Sequence, residues 1–172
     1  MKTILFCMNP YSFGILQPIM EVLKENNYEY IWFVRAAIIE KFPFKDENVT
    51  SSIKEIINFQ SDAIFAPGNE VPNYLRGVKT QVFHGLAGEK KGHFRIRSYF
   101  DLYLTQGPYF TKWFSKAALK HKNFSVVETG WPKLDIYGKE RHKYDEDKQV
   151  LLNSSNTEKI ILFAPTFSPS LS

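Results

Sequence analysis

The chain has a single cysteine, Cys7, and it lies inside the first apolar run. One thiol builds neither a disulfide framework nor a cysteine metal cluster, which fits a reducing compartment. Its expected role is that of a small core residue. Long apolar runs are missing as well. No stretch approaches the roughly 20 residues needed to span a bilayer. The run from Ile4 to Met8 is far shorter than the core of a secretory leader. The expected location is therefore cytoplasmic, with any membrane contact peripheral, at the inner face of the plasma membrane. The sequons at Asn48, Asn123 and Asn153 carry no meaning without secretion. Charge of one sign is not in large excess, since 22 Lys+Arg against 18 Asp+Glu leave +4. That balance favours phosphates, acidic polymers or a lipid surface, and no nucleic-acid partner is expected. His93, His121 and His142 show no metal-ligand spacing. A Walker loop, a GxSxG turn and a complete dinucleotide fingerprint are absent. No metal and no cofactor are expected.

What is present is enough for a core. With 172 residues, 44% hydrophobic and 16% aromatic, the chain makes one domain, or one domain and a fragment. Lys2 to Met8 reads as a buried strand, followed by a turn over Asn9 to Gly14 that is a poor phosphate cradle with its one glycine. Apolar residues at Ile15, Leu16, Ile19, Met20, Val22 and Leu23 predict a helix to Asn26. Tyr28 to Val34 predicts a second strand. A loop spans Phe42 to Asn48, and a short helix is expected behind a Ser51 cap. Ala63 to Ala66, Gln81 to Phe83, Asp101 to Thr105 and Val126 to Glu128 predict four more strands. Pro108 to Lys120 predicts a helix with proline in its first turn and lysine near its end. Strands alternating with helices predict an α/β fold: a Rossmann-like parallel sheet with helices on both faces.

Residues 1–138 are expected to form this domain. Residues 139–172 are expected to hold a polar linker and then a buried strand, Ile160 to Phe163, that opens a truncated second domain, because a lone strand cannot build a core. Asp145 and Asp147 have the spacing of a metal-binding Asp-x-Asp, yet they lie in a charged run with no apolar strand before it, and a solvated linker is the reading adopted.

The segment Thr80 to Lys91, TQVFHGLAGEKK, concentrates the chemistry. An apolar run ends at His84-Gly85 and opens into a loop with Lys90, Lys91, Arg95 and Arg97. Ligands of open α/β sheets collect outside the carboxyl ends of the strands. Imidazole is the side chain that exchanges a proton near neutral pH, and clustered cations hold phosphate. Two readings stand side by side: a base with a phosphate-holding loop, or an exposed histidine beside a solvated one.

The order VFHG, YLTQGPYF, VVETGWPKLD, ILFAPTFSPS resembles the CDP-glycerol glycerophosphotransferase family of teichoic acid polymerases and related cell-surface polymer enzymes. The resemblance covers Thr80 to Ser168. It implies the N-terminal, acceptor-side half of a GT-B fold, two Rossmann-like domains facing across a cleft. It also implies a transfer in which an acceptor hydroxyl attacks the β-phosphorus of CDP-glycerol and CMP leaves. By resemblance His84 is the general base, and Gly85, Lys133 and Asp135 lie in substrate-binding motifs beside the basic cluster Lys90, Lys91, Arg95 and Arg97. The resemblance also implies Thr166, as the strand-end Thr, as a candidate donor contact. The implied partners are a CDP-activated polyol donor, bound through the second domain, and an anionic polymer acceptor. The fragment alone is expected to be inactive. The chain departs from the family pattern at Leu86-Ala87, where Thr-Pro is frequent, at the turn Thr105-Gln106-Gly107, where a Ser is expected, and at Trp131 and Lys133, which replace Tyr and Arg. A non-catalytic α/β module that binds anionic polymer or lipid, or another GT-B nucleotide-sugar enzyme, fits the same chain.

Overall fold

The computed structural model describes residues 1–86, 94–139, 141–155 and 157–163. Two compact units divide them, Met1–Asp135 and Ile136–Ser172.

The first unit is built on β1 (Lys2–Cys7), whose five residues after Lys2 are all buried. A parallel strand covered on both faces needs apolar side chains at successive positions, not alternate ones. β1 divides them between two cores. Ile4 and Phe6 join Ile31, Phe33, Ile56, Ile64, Phe110 and Phe114 on one face. Leu5 and Cys7 join Leu16, Met20, Leu23, Trp32 and Val34 on the other. Helix α1 (Phe13–Glu25) covers the second face; α2 (Ile53–Phe59) and α3 (Pro108–His121) cover the first.

The remaining strands are β2 (Glu29–Val34), β3 (Val49–Thr50), β4 (Ala63–Ala66), β5 (Val78–Gln81), β6 (Leu102–Thr105) and β7 (Ser125–Glu128). All pair in parallel in the order β3-β2-β1-β4-β5-β6-β7. The expected α/β, Rossmann-like sheet with helices on both faces is therefore what forms. The chain winds outward from β1 to β3, then returns to lay β4 on the other side of β1. The direction of winding reverses between β1 and β4, and ligands of open α/β sheets bind at such a point, outside the carboxyl ends of the strands.

Several expectations need correction. The helix cap is Ser52, not Ser51: its hydroxyl accepts from the Glu55 backbone N–H at 3.3 Å. The two-residue β3 was not anticipated, because so short an edge strand has no periodicity to read. The strand expected at Gln81 to Phe83 lies at Val78–Gln81. Its sequence, VKTQ, is mostly polar, and its place between β4 and β6 is fixed by ladder hydrogen bonds. Gly77 makes this hairpin-free entry feasible. Its φ is +105°, and a Cβ there would lie 2.7 Å from the Asp62 carbonyl carbon.

In the second unit, α4 (Ile136–Lys139) and α5 (Asp145–Ser155) replace much of the expected linker. Asp145, Glu146 and Asp147 fill the first turn of α5, where carboxylates favour the helix dipole. Ile160 to Phe163 forms no strand, and Phe163 is 86% exposed. Among the described residues no neighbouring strand takes its backbone hydrogen bonds, and an unpaired strand is not stable alone.

Candidate active site at the sheet rim

Because every strand is parallel, the loops after β1, β4, β5, β6 and β7 all leave the same edge of the sheet. Residues from each of them meet around His84.

The ladder continues one residue beyond β5, with the Val82 N–H donating to the Ala66 carbonyl at 3.1 Å. The next residue, Phe83, has φ +60°. This left-handed conformation is unusual for a bulky residue and costs about 1–3 kcal/mol. Burial of its ring compensates: Phe83 packs on Phe114 at 5.1 Å and on Tyr103 at 6.1 Å. The turn is thus made by Phe83 and not by Gly85, and it re-aims the chain so that His84 reaches across the end of β4.

There, His84 Nδ1 lies 2.9 Å from the Pro67 carbonyl oxygen. A carbonyl oxygen can only accept, so Nδ1 carries the hydrogen. In the neutral ring that leaves Nε2 with a lone pair, the tautomer a general base requires. Among the described residues Nε2 has no partner, and the side chain is exposed. Tyr11, from the loop after β1, places its ring 5.3 Å from the imidazole, and its hydroxyl accepts from Asn9 Nδ2 at 3.2 Å. The histidine therefore stands at the point where winding reverses, between the ends of β1 and β4.

Two further side chains hold the turn from the other direction. Gln106, just after β6, donates through Nε2 to the Gly85 carbonyl at 2.7 Å. Trp131, in the loop after β7, directs its indole N–H at the Phe83 carbonyl at 3.4 Å. The carbonyls on both sides of His84 are thus tied to neighbouring loops. Gln106 Oε1 is buried and, among the described residues, accepts no hydrogen bond. Gln81, buried beneath, donates to the Gly68 carbonyl at 3.1 Å and to Asn69 Oδ1 at 3.2 Å, fixing the exit of β4. At the end of β7, Thr111 donates to Glu128.

The other site residues expected from sequence are distributed unevenly. Gly85 is beside His84, with nothing within 4 Å of a Cβ built on it. Lys133 extends over the Trp131 ring at 5.7 Å and so joins the rim through it. Asp135 is exposed, and its N–H closes the short turn onto the Pro132 carbonyl at 2.9 Å. Arg95 and Arg97 are exposed. Burial pushes the Tyr103 phenol up, against the opposing charge of Arg97. Lys90, Lys91 and Thr166 lie outside the described residues. Sequence reasoning missed Tyr11, Gln106 and the Pro67 carbonyl as neighbours of the histidine. Only the position of each at a strand end signals them.

Among the described residues no group of three or more His, Cys, Asp or Glu is arranged to hold a metal ion. Asp145 is paired instead with His142, Nδ1 to Oδ2 at 2.7 Å on an exposed surface. No described helix is long and apolar enough to cross a membrane. Cys7 is buried, and burial pushes its thiol up to about 11 against weaker opposing hydrogen bonds involving Ser12 and the Asn9 backbone. It is no nucleophile.

No protein-family model matches the chain, and no curated protein matches it.

Proposed function

We propose that this chain is the acceptor-side domain of a transferase resembling the CDP-glycerol glycerophosphotransferases, with His84 as its general base. One observation carries the reading: the Nδ1 bond to the Pro67 carbonyl, at the winding reversal of a parallel sheet, which leaves Nε2 as a proton acceptor at the rim. In the proposed step the acceptor hydroxyl gives its proton to His84 Nε2 while its oxygen bonds to the β-phosphorus of CDP-glycerol. The bond from that phosphorus to the bridging oxygen breaks, and CMP leaves with the electron pair. Arg95 and Arg97, with Lys90 and Lys91, neutralise the phosphates of a polyanionic acceptor. Lys133 and Asp135 line the approach from the loop after β7. Thr166 contacts the donor from a second domain. A cytoplasmic location at the inner face of the plasma membrane belongs to the same proposal.

The test is the rate of CMP release from CDP-glycerol with a glycerol-phosphate oligomer as acceptor, measured in the protein joined to its donor-binding domain. A general base contributes about 10²–10⁴-fold, so His84→Ala loses that factor without loss of fold. Rates within a few-fold of the parent remove His84 from the mechanism. The isolated chain is expected to release little CMP, and robust turnover by it refutes a site divided between two domains.

The exposed Arg95 and Arg97 favour a second reading, a non-catalytic module that holds anionic polymer or lipid. Salt-sensitive binding that needs the Lys90 to Arg97 cluster but not His84 separates it from the first. Another GT-B nucleotide-sugar enzyme would keep the histidine and change the donor, which a donor screen resolves.

A further inference from the structure

We propose that the outer face of α3 is a docking surface for an anionic lipid bilayer. The proposal rests on the inner-face location proposed above, for which it names the surface, and it does not need His84. Six exposed residues of α3, Tyr109, Lys112, Trp113, Lys116, Leu119 and Lys120, fall within about one third of the helix circumference at 100° per residue. Phe110 and Phe114 face the core from another side. Three cations therefore share an arc with three large apolar side chains that water covers poorly: Tyr109 is 52%, Trp113 44% and Leu119 79% exposed. The arc is extended by Phe94, stacked on Trp113 at 5.5 Å, and Phe94 is followed by the exposed Arg95. Beside Leu119 an open groove of about 430 Å³ is lined by Ser115, Ala118, Lys122 and Val126. No carboxylate occurs between Asp101 and Glu128 in the sequence, and Glu128 is engaged by Thr111.

The chemistry of the arc selects the partner. A soluble polyanion is held by cations alone and gains nothing from Leu119. A bilayer surface uses both halves. Tryptophan and tyrosine rings settle at the headgroup level, leucine enters the acyl boundary, and lysine stems lie along apolar surface while their ammonium groups reach lipid phosphates. Because α3 begins at the sheet rim, at Pro108 after the Gly107 cap, docking along its 14 residues holds the rim within about 20 Å of the bilayer, one helix length.

The experiment is co-sedimentation of the whole chain with vesicles of phosphatidylcholine alone or mixed with phosphatidylglycerol. Tryptophan emission is followed in parallel. Binding to the mixed vesicles only, with a blue shift, is expected. Lys112→Gln/Lys116→Gln/Lys120→Gln should weaken partitioning roughly a hundredfold, since each lysine near an anionic surface contributes about five-fold. Trp113→Ser/Leu119→Ser should weaken it about tenfold or more. All six positions are exposed, and matching circular dichroism and melting curves confirm that each variant is folded. Failure of the parent to bind the mixed vesicles overturns the proposal. So does unchanged partitioning of either variant. If the parent binds inorganic polyphosphate or RNA as tightly as vesicles, and the Trp113/Leu119 variant loses nothing, the face is a site for soluble polyanions and the bilayer is excluded.

Discussion

Gly77→Ala should disrupt the entry to the strand that carries His84. The backbone there has φ +105°, outside the range an alanine tolerates without about 1–3 kcal/mol of strain. The new Cβ would also lie 2.7 Å from the Asp62 carbonyl carbon, 2.8 Å from the Ser61 oxygen and 2.9 Å from the Asp62 oxygen. All three are backbone atoms, and they are tied in place. The Asp62 carbonyl accepts from the Val78 N–H at 2.9 Å, and the Asp62 N–H donates to Lys2 at 2.8 Å. Relief therefore requires moving the starts of β4 and β5 together, at a further cost of about 1–3 kcal/mol for overpacking. The sum is about 2–6 kcal/mol, which for a domain of this size lowers the melting temperature by roughly 5–25 °C. Gly85→Ala is the control. That position has no positive φ and open space around a Cβ, so its stability should stay within about 0.5 kcal/mol of the parent. Thermal and urea unfolding of both variants measure the contrast. A Gly77→Ala protein that melts within about 2 °C of the parent refutes the close approach from which the argument starts.

Other consequences follow from buried polar groups. Glu47 accepts from the Tyr30 hydroxyl at 2.6 Å and from Lys24. Burial pushes its carboxyl up, but these bonds and the Lys24 charge outweigh burial and hold it below the ordinary range. A folded-state value lower than the unfolded one stabilises above the unfolded value, near pH 4.3, and that stability is lost as pH falls through the folded value. Glu47→Gln should therefore cost about 1–3 kcal/mol at pH 7, and urea titrations should show the gap closing below about pH 4. A gap that is constant with pH contradicts the ion pair. Cys7, with its thiol pushed up to about 11, should react with iodoacetamide at pH 8 only as fast as the protein unfolds. Rapid stoichiometric labelling of folded protein contradicts its burial.

The sheet was legible where sequence alone decides structure. β1 and β4 are continuous apolar runs, and Ala63–Ala66 falls where the pattern put it. It was not legible where partners decide. Thr80 and Gln81 are buried polar residues of β5, held by strands on both sides, and no hydrophobic period marks them. Ile160 to Phe163 has the reverse character: its composition suits a strand, but no described strand pairs with it. The candidate site divides in the same way. The order of motifs pointed to the histidine and to the loops after β6 and β7. The tie between them joins Pro67, Gln106 and Trp131 to a turn 17, 21 and 48 residues away in sequence. Such partners have no local signature. The left-handed Phe83 could not be anticipated either, because a phenylalanine next to His-Gly suggests that glycine makes the turn.

One ring nitrogen of His84 is committed to the Pro67 carbonyl, and the other is open to take a proton. Long-range proton–nitrogen correlation spectra of the folded chain, with nitrogen-15 in the histidines, read the tautomer directly. The Nδ1 bond to the Pro67 carbonyl predicts a neutral ring with its hydrogen on Nδ1 and Nε2 bare. A neutral ring protonated on Nε2, or the exchanging mixture of a free imidazole, would contradict it.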